Sequence, residues 1–333
     1  MKGMNVLVLT DHIRHTKENS LYALVSEMLR HADCANIFLA SRGFESNIEF
    51  FNEPRYHALF AKCVNTSIDY SEDGDLFNIE LDKVDLGTID LVFLRLPRPV
   101  TDKFLLDLSN LFEGVPMVNE PKGIIETSNK KFLLNFPELC PPMRFVSSLE
   151  EIRNFGTEHD IILKPLKEYG GKGIVKVMGD RVHDGRVFMD LEEYFIENPA
   201  ALHEGYLAMK FLNNVTLGDK RILVVDGEIM ASSLRLPVQG SWLCNVAQGG
   251  TSISSEVTEE EIHMIKKISP ILSDKGILIY GADTLVEDDG RRVLSEINTL
   301  SIGGFPQAQK QTGLPILRKT IDKIFEYADL YYA

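Results

Sequence analysis

The residues best suited to chemistry crowd the last hairpin of the chain, Gly281-Ala-Asp283-Thr-Leu-Val-Glu-Asp288-Asp289-Gly290-Arg-Arg-Val-Leu-Ser-Glu296-Ile-Asn298. Asp289-Gly290 between two apolar-rich runs is a two-residue hairpin signal. A turn centred there sets Asp283 directly across from Glu296, with Cβ atoms about 5 Å apart. Asn298 lies two residues beyond Glu296 and shares its face. Gly281, opposite Asn298, leaves room above. Two carboxylates and an amide oxygen form a donor set for a hard cation such as Mg²⁺, usually taken together with substrate phosphates. A solvated sheet face carrying these charges also fits the hairpin taken alone.

Three more segments carry polar groups in patterns that suit anions. Lys164-Pro-Leu-Lys167-Glu168-Tyr-Gly170-Gly171-Lys172-Gly173 is a glycine-rich loop between two apolar runs. Its glycines let backbone N–H groups converge and let the loop open and close, and its lysines supply positive charge. It is neither a P-loop nor a dinucleotide fingerprint, and a plain flexible hairpin turn fits it as well. Gly218-Asp219-Lys220-Arg221 and Arg235 flank an Asp226-Gly227 turn. A two-residue turn there pairs Arg235 with Gly218 and sets Arg235 diagonal to Lys220. Arg221 then points to the other face unless a bulge intervenes. Asn245, before Gln248-Gly249-Gly250, suits an oxyanion or carboxylate, or simply caps a turn. At the N-terminal end, Asp11, Lys17 and Ser20 lie between the first strand and the first helix, and Arg95 ends a later strand. Such strand ends are where open α/β sheets bind ligands, although Asn19 or Ser20 also suits a helix cap.

The elements that must position these groups fall into two styles. Residues 4–10, 36–40, 89–94 and 115–118 read as strands, alternating with helices near 19–31 and 101–112. This pattern predicts a doubly wound α/β unit with a parallel sheet. Residues 43–85 show no clear period. Beyond about residue 120 come antiparallel signals. Residues 160–165 and 174–178 are strands around the glycine loop, residues 221–231 form the Asp226-Gly227 hairpin, and helices are expected over 259–275 and 314–331.

The whole-chain properties narrow the function classes. The 333 residues carry a net charge of −14, which argues against a general nucleic-acid or anionic-membrane binder but not against a small anion held by a local cationic cluster. No apolar run approaches the length of a membrane span, and the start reads as a strand rather than a signal peptide. Cys34, Cys63, Cys140 and Cys244 have no zinc spacing, so reduced thiols in a cytoplasmic protein are expected. No His-Glu-x-x-His, Gly-x-Ser-x-Gly or Cys-x-x-Cys is present.

Taken in order, these motifs resemble the ATP-grasp carboxylate–amine ligases, and within them the prokaryotic glutathione synthetases. The resemblance rests on Asp160-Ile-Ile-Leu-Lys-Pro-Leu with its Gly-Gly turn, Gly218-Asp-Lys-Arg-Ile-Leu-Val-Val-Asp-Gly-Glu, Arg235-Leu-Pro, Asn245-Val-Ala-Gln-Gly-Gly and Glu296-Ile-Asn298. Val118-Asn-Glu-Pro and Asn129-Lys130-Lys131-Phe add to it. It implies an N-terminal α/β substrate domain over 1–122, a central and lid subdomain over 123–208, and a metal and catalytic subdomain over 209–333. It implies ATP and Mg²⁺, with Mn²⁺ as a substitute. Lys131 and Lys164 would meet the phosphates under a lid of Gly170, Gly171 and Gly173. Met209, Lys210, Phe211 and Leu212 would line the adenine pocket, with Asp219 near the ribose and Lys220 beside it. Asp283, Glu296 and Asn298 would hold the metal. Arg221 would face the transferred phosphate, and Arg235 and Asn245 the reacting carboxylate. Asp11, Lys17, Ser20 and Arg95 would meet the acid substrate. The implied partners are a small acid and a small amine, with no nucleic acid or membrane, and a homo-oligomer is compatible. Two departures bear on substrate identity. Leu243 stands where the family usually has Arg, and Thr299-Leu-Ser301-Ile-Gly303-Gly304 stands where glutathione-forming members carry Ser-Pro-Thr.

Overall fold

The computed structural model describes residues 3–168, 170–185, 187–237 and 251–333. Three sheets organise the chain. The first is N-terminal. Its parallel strands run in the order Cys34–Ser41, Met4–Thr10, Leu91–Leu94 and Met117–Val118. The apolar runs Val6–Leu9 and Leu91–Leu94 are buried throughout, as strands covered on both faces must be. The helix Ser20–Met28 begins at an Asn19 cap that accepts from Leu21 N. It turns Leu21, Leu24, Val25 and Met28 inward at helical spacing. The helix Asp102–Leu111, capped by Thr101, buries Phe104, Leu105 and Leu108.

The expected parallel sheet has an antiparallel edge. Phe60–Val64 pairs antiparallel with Cys34–Ser41, and Asp82–Lys83 extends it. These strands lie in the segment that shows no sequence period. A fully buried Asn47 organises it, donating to the carbonyls of Ser41 and Phe60 and accepting from Phe60 N.

The second sheet is antiparallel, in the order Phe188–Asp190, Arg181–His183, Val175–Met178, Ile161–Pro165, Tyr206–Lys210 and Met143–Val146. Tyr206–Lys210 pairs along its whole length with Ile161–Pro165. The division expected at 208/209 therefore cuts a strand, and the chain leaves this sheet after Lys210. The third sheet runs Thr251–Ser254, Glu228–Leu236, Asp219–Val225, Ile279–Val286 and Arg292–Asn298. The helix Glu259–Ser273 opens with a capping box between Thr258 and Glu261. Asn119 ties the first sheet to the third. Its amide donates to the carbonyls of Ile279 and Thr299 and accepts from the N–H groups of Leu278 and Ile279.

Two bulges set the registers of the third sheet. Asp226 and Gly227 form the expected turn with positive φ of 50° and 72°. Pairing then shifts between Leu223 and Val224, so Arg235 meets Asp219 rather than Gly218. In the last hairpin, Glu287 N donates to Arg291 O and Gly290 N to Glu287 O. The turn thus spans Asp288, Asp289 and Gly290, one residue more than expected. A shift between Asp283 and Thr284 leaves Ser295 as the extra residue and restores Asp283 opposite Glu296 and Gly281 opposite Asn298. The expected pairing holds because the longer turn and the bulge cancel.

Candidate active site

A cavity of about 550 Å³ opens between the three sheets, and every sheet lends it walls. Its floor is the front of the third sheet, where the bulge beyond Leu223 turns Asp219, Arg221 and Arg235 to the same side as Asp283. Arg221 grips Asp283 with both ends of its fork, Nε to Oδ1 at 2.7 Å and Nη2 to Oδ2 at 2.6 Å. Arg235 Nη2 lies 2.9 Å from Asp283 Oδ2 and 2.5 Å from Asp219 Oδ2. Two guanidiniums and two carboxylates balance. Burial pushes the Asp283 carboxyl upward, but Arg221 and then Arg235 outweigh it and hold it well below the usual carboxylate range. Asp219 goes the other way. Burial and the charge of Asp283 push it up to about 7 despite Arg235.

Asn298 Nδ2 lies 3.3 Å from Asp283 Oδ2. Glu296, across the ladder from Asp283, approaches Lys130 Nζ to 3.8 Å. All three oxygen-bearing residues border the cavity. Two carboxylates and an amide oxygen suit a hard divalent ion. Asp219 Oδ1 and Arg235 Nε, on the same floor, are buried with no hydrogen-bond partner among the described residues. Such atoms leave the floor able to take a bound anion or water at Arg235 Nε and a donor or cation at Asp219 Oδ1. The residues therefore fit a metal-assisted phosphate site.

Above this floor stands the second sheet. Lys164 lies buried, and its Nζ donates to Ser295 O at 2.9 Å, a carbonyl of the bulge. Gly170 and Gly171 border the cavity, with φ of 67° and 77°. Gly173, φ 66°, sits off the wall against Pro165. Met209, Phe211 and Leu212 join Ile162, Ile174 and Leu285 in an apolar end. Lys210 reaches away to Glu287 at 2.7 Å and Asp288 at 2.8 Å.

The first sheet closes the far side. Ser20 borders the cavity, and its Oγ accepts from Gly304 N at 3.0 Å. Arg95 is buried, its Nε has no hydrogen-bond partner among the described residues, and burial lowers its guanidinium to about 10. Ser301, at φ 51°, donates to Leu96 O at 2.6 Å and brings Leu300 and Ile302 to the wall.

Four expected residues stand elsewhere. Lys220 lies on the rear of the sheet, because strand alternation opposes it to its neighbours Asp219 and Arg221. Its Nζ meets Glu261 Oε2 at 2.8 Å. Lys131 is exposed, its Nζ over the Phe145 ring at 3.3 Å. The Asn129 cap starts a 3-10 helix, and the residue it turns inward is Lys130, whose Nζ donates to the carbonyl of Glu168. Asp11 is engaged by Arg42, 2.7 Å from its Nη2, and Lys17 is exposed. Neither borders the cavity. Asn245 and Leu243 lie outside the described residues. Sequence reasoning missed Lys130 and Arg98, which borders the cavity. The Asn129 cap was the available signal for the former.

Comparison with known proteins agrees with this geometry. A family model described as prokaryotic glutathione synthetase, ATP-grasp domain, matches residues 129–313. The glutathione synthetase of Agrobacterium fabrum is 32% identical over 262 residues, covering 77% of this chain and 78% of that protein. The glutathione synthetase of Rhodopseudomonas palustris is 29% identical over 76% of this chain and 79% of its own. Among solved structures, D-cycloserine synthetase DcsG aligns with a TM-score of 0.67 over 97% of this chain and 99% of that one, at 12% identity. The D-alanine-D-alanine ligase of Coxiella burnetii aligns at 0.60 over 100% and 96%, at 11% identity. These two likenesses concern the fold alone. With its three-sheet cavity and a family match over more than half its length, this chain belongs to the prokaryotic glutathione synthetase family of ATP-grasp ligases.

Proposed function

We propose that this ligase couples γ-glutamylcysteine to glycine, converting ATP to ADP and phosphate. The supporting observation is one cavity in which an apolar hinge, where the chain leaves the second sheet, the buried Lys164, the Asp283–Glu296–Asn298 set and Arg95 succeed one another. In this reading the adenine lies against Met209, Phe211 and Leu212. Lys164, Lys130 and the N–H groups of the Gly170–Gly171 turn take the phosphates. Asp283, Glu296 and Asn298 would hold Mg²⁺ or Mn²⁺, which would supply positive charge to offset that of the phosphates. Arg221 and Arg235 face the group in transfer, and Arg95 and Ser20 orient the acid.

The acid's carboxylate oxygen bonds to the γ-phosphorus as the bond to the β-phosphate oxygen breaks, leaving ADP. The amine then bonds to the acyl carbon, and phosphate departs with the acyl C–O electron pair. The amine proton passes to phosphate or solvent. Arg235, with Asn245, stabilises the oxyanion between these steps. The glycine loop closes over the acyl phosphate and keeps water away.

The test is mass spectrometry of a reaction containing ATP, Mg²⁺, γ-glutamylcysteine and glycine. Glutathione and stoichiometric phosphate are expected. Phosphate release driven by a different pair, with none from this one, overturns the assignment. A second reading, a ligase of the same family acting on another acid or amine, draws on Leu300 and Ile302. They line the cavity where glutathione-forming members carry Ser-Pro-Thr. A panel of acids and amines in the same assay separates the two.

A further inference from the structure

We infer that Glu261, behind the catalytic sheet, is a positioning residue that locks the Arg221–Asp283 rung through Lys220 and Thr284. The inference rests on the ligase reading above. Lys220 and Thr284 are opposite one another, one rung along from the opposed pair Arg221 and Asp283. Alternation sends the first pair to the rear and the second to the cavity. Glu261 is fully buried. Its Oε2 accepts from Lys220 Nζ at 2.8 Å and from Thr258 N at 2.9 Å. Its Oε1 accepts from Thr284 Oγ1 at 2.6 Å. One carboxylate thus joins both strands to the start of the helix Glu259–Ser273.

The rung needs such a fastening. The bulge between Asp283 and Thr284 interrupts the ladder on the other side of the same strand, where pairing is locally disrupted. Ser295 Oγ donates across it to Asp283 O at 3.1 Å, and on the tip side Arg292 Nη1 donates to Thr284 O at 3.1 Å and Oγ1 at 3.3 Å. A buried ion pair adds little stability over apolar side chains of like shape. What this one supplies is direction. A slip of one residue would turn Asp283 to the rear, and a shift far smaller would spoil its alignment with the reacting groups.

The test compares Thr284→Val, Thr284→Ser and Glu261→Gln with wild type. Thr284→Val removes the hydroxyl's bonds to Glu261 and from Arg292, leaves Arg292 its bond to Thr284 O and keeps the buried charges paired, so it reports even if Glu261→Gln fails to fold. It is expected to lower kcat about tenfold. Its affinity for ADP without divalent ion should stay within about twofold, because the hinge is untouched. Thr284→Ser should recover most of the kcat. Amide exchange in 219–225 and 279–286 should quicken in Thr284→Val. A wild-type kcat in Thr284→Val, a loss that Ser does not restore, or a parallel loss of ADP binding overturns the inference. If the wild-type chain turns over no acid–amine pair, the ligase reading fails instead. The exchange comparison then decides alone, and unchanged exchange overturns the fastening.

Discussion

At the scale of single residues, two adjacent lysines show where a chain is easily misread. Asn129-Lys130-Lys131 announces a phosphate-binding lysine, and the family resemblance points to Lys131. The Asn129 cap starts the 3-10 helix at Lys130 and carries that side chain inward, beside Glu296 and the glycine-loop carbonyl of Glu168. Lys130→Met should raise the KM for ATP about tenfold, the loss of one charge-assisted phosphate contact. Lys131→Met should change it by less than about twofold, in line with an exposed charge. Steady-state kinetics at varied ATP check both, and the reverse order would return the role to Lys131. The identities of Asp283, Glu296, Asn298 and Arg95 were legible because few other groupings of oxygen donors and cations occur in such motifs. The shared face of Asp283, Glu296 and Asn298 was legible too, from the hairpin pairing, but the facing of some neighbours was not. Lys220 stands next to two cavity residues and faces away from both.

At the scale of elements, most strands and helices followed from apolar runs and caps. The register of the last hairpin held because its longer turn and its bulge cancel, while that of the Asp226-Gly227 hairpin did not, since a bulge leaves no mark in residue type. The Asp226-Gly227 turn was read correctly, yet the bulge beyond Leu223 moved Arg235 from Gly218 to Asp219. Residues 43–85 escaped for another reason: a buried side chain, Asn47, holds them rather than any periodic face. Asn119 acts in the same manner between elements. It replaces strand pairing with four bonds to backbone groups of Leu278, Ile279 and Thr299. Asn119→Ala leaves those buried groups unsatisfied and should cost on the order of 3 kcal/mol. Because Thr299 follows Asn298, kcat should fall as well. Urea unfolding and turnover measured on one preparation check both effects, and an unchanged midpoint would show that the groups find other partners.

Across the whole molecule, stability should depend on acidity through His15, which borders the cavity but belongs to the first sheet's packing. Its Nε2 is 3.0 Å from Thr10 Oγ1 and its Nδ1 2.9 Å from Tyr22 Oη. Burial, aided by His12 and Arg95 and opposed by Asp11, lowers the imidazole to about 4. The folded state therefore binds fewer protons than the unfolded chain below the ordinary histidine range. This contribution is complete above about pH 6.5 and shrinks toward pH 4, by about 2 kcal/mol at pH 5. Urea unfolding at pH 8 and pH 5 should show that loss in wild type and a smaller one in His15→Gln. Equal losses would remove His15 from the account. The passage from a parallel to an antiparallel style was readable from the change of pattern near residue 120, and the split of the second part into two units only from the family resemblance; the shared cavity was not, since its walls come from segments far apart in sequence. The final hairpin also works as a measuring rod. Its tip, through Glu287 and Asp288, holds Lys210 of the hinge, while Asp283 and Glu296 lie at its base. Five steps from Asp288 to Asp283, at about 3.4 Å each, span about 17 Å. Adding two residues to each arm would keep every side chain on its face yet part the two grips by about 7 Å, so in the proposed reading arm length itself would gauge how long a nucleotide fits between them.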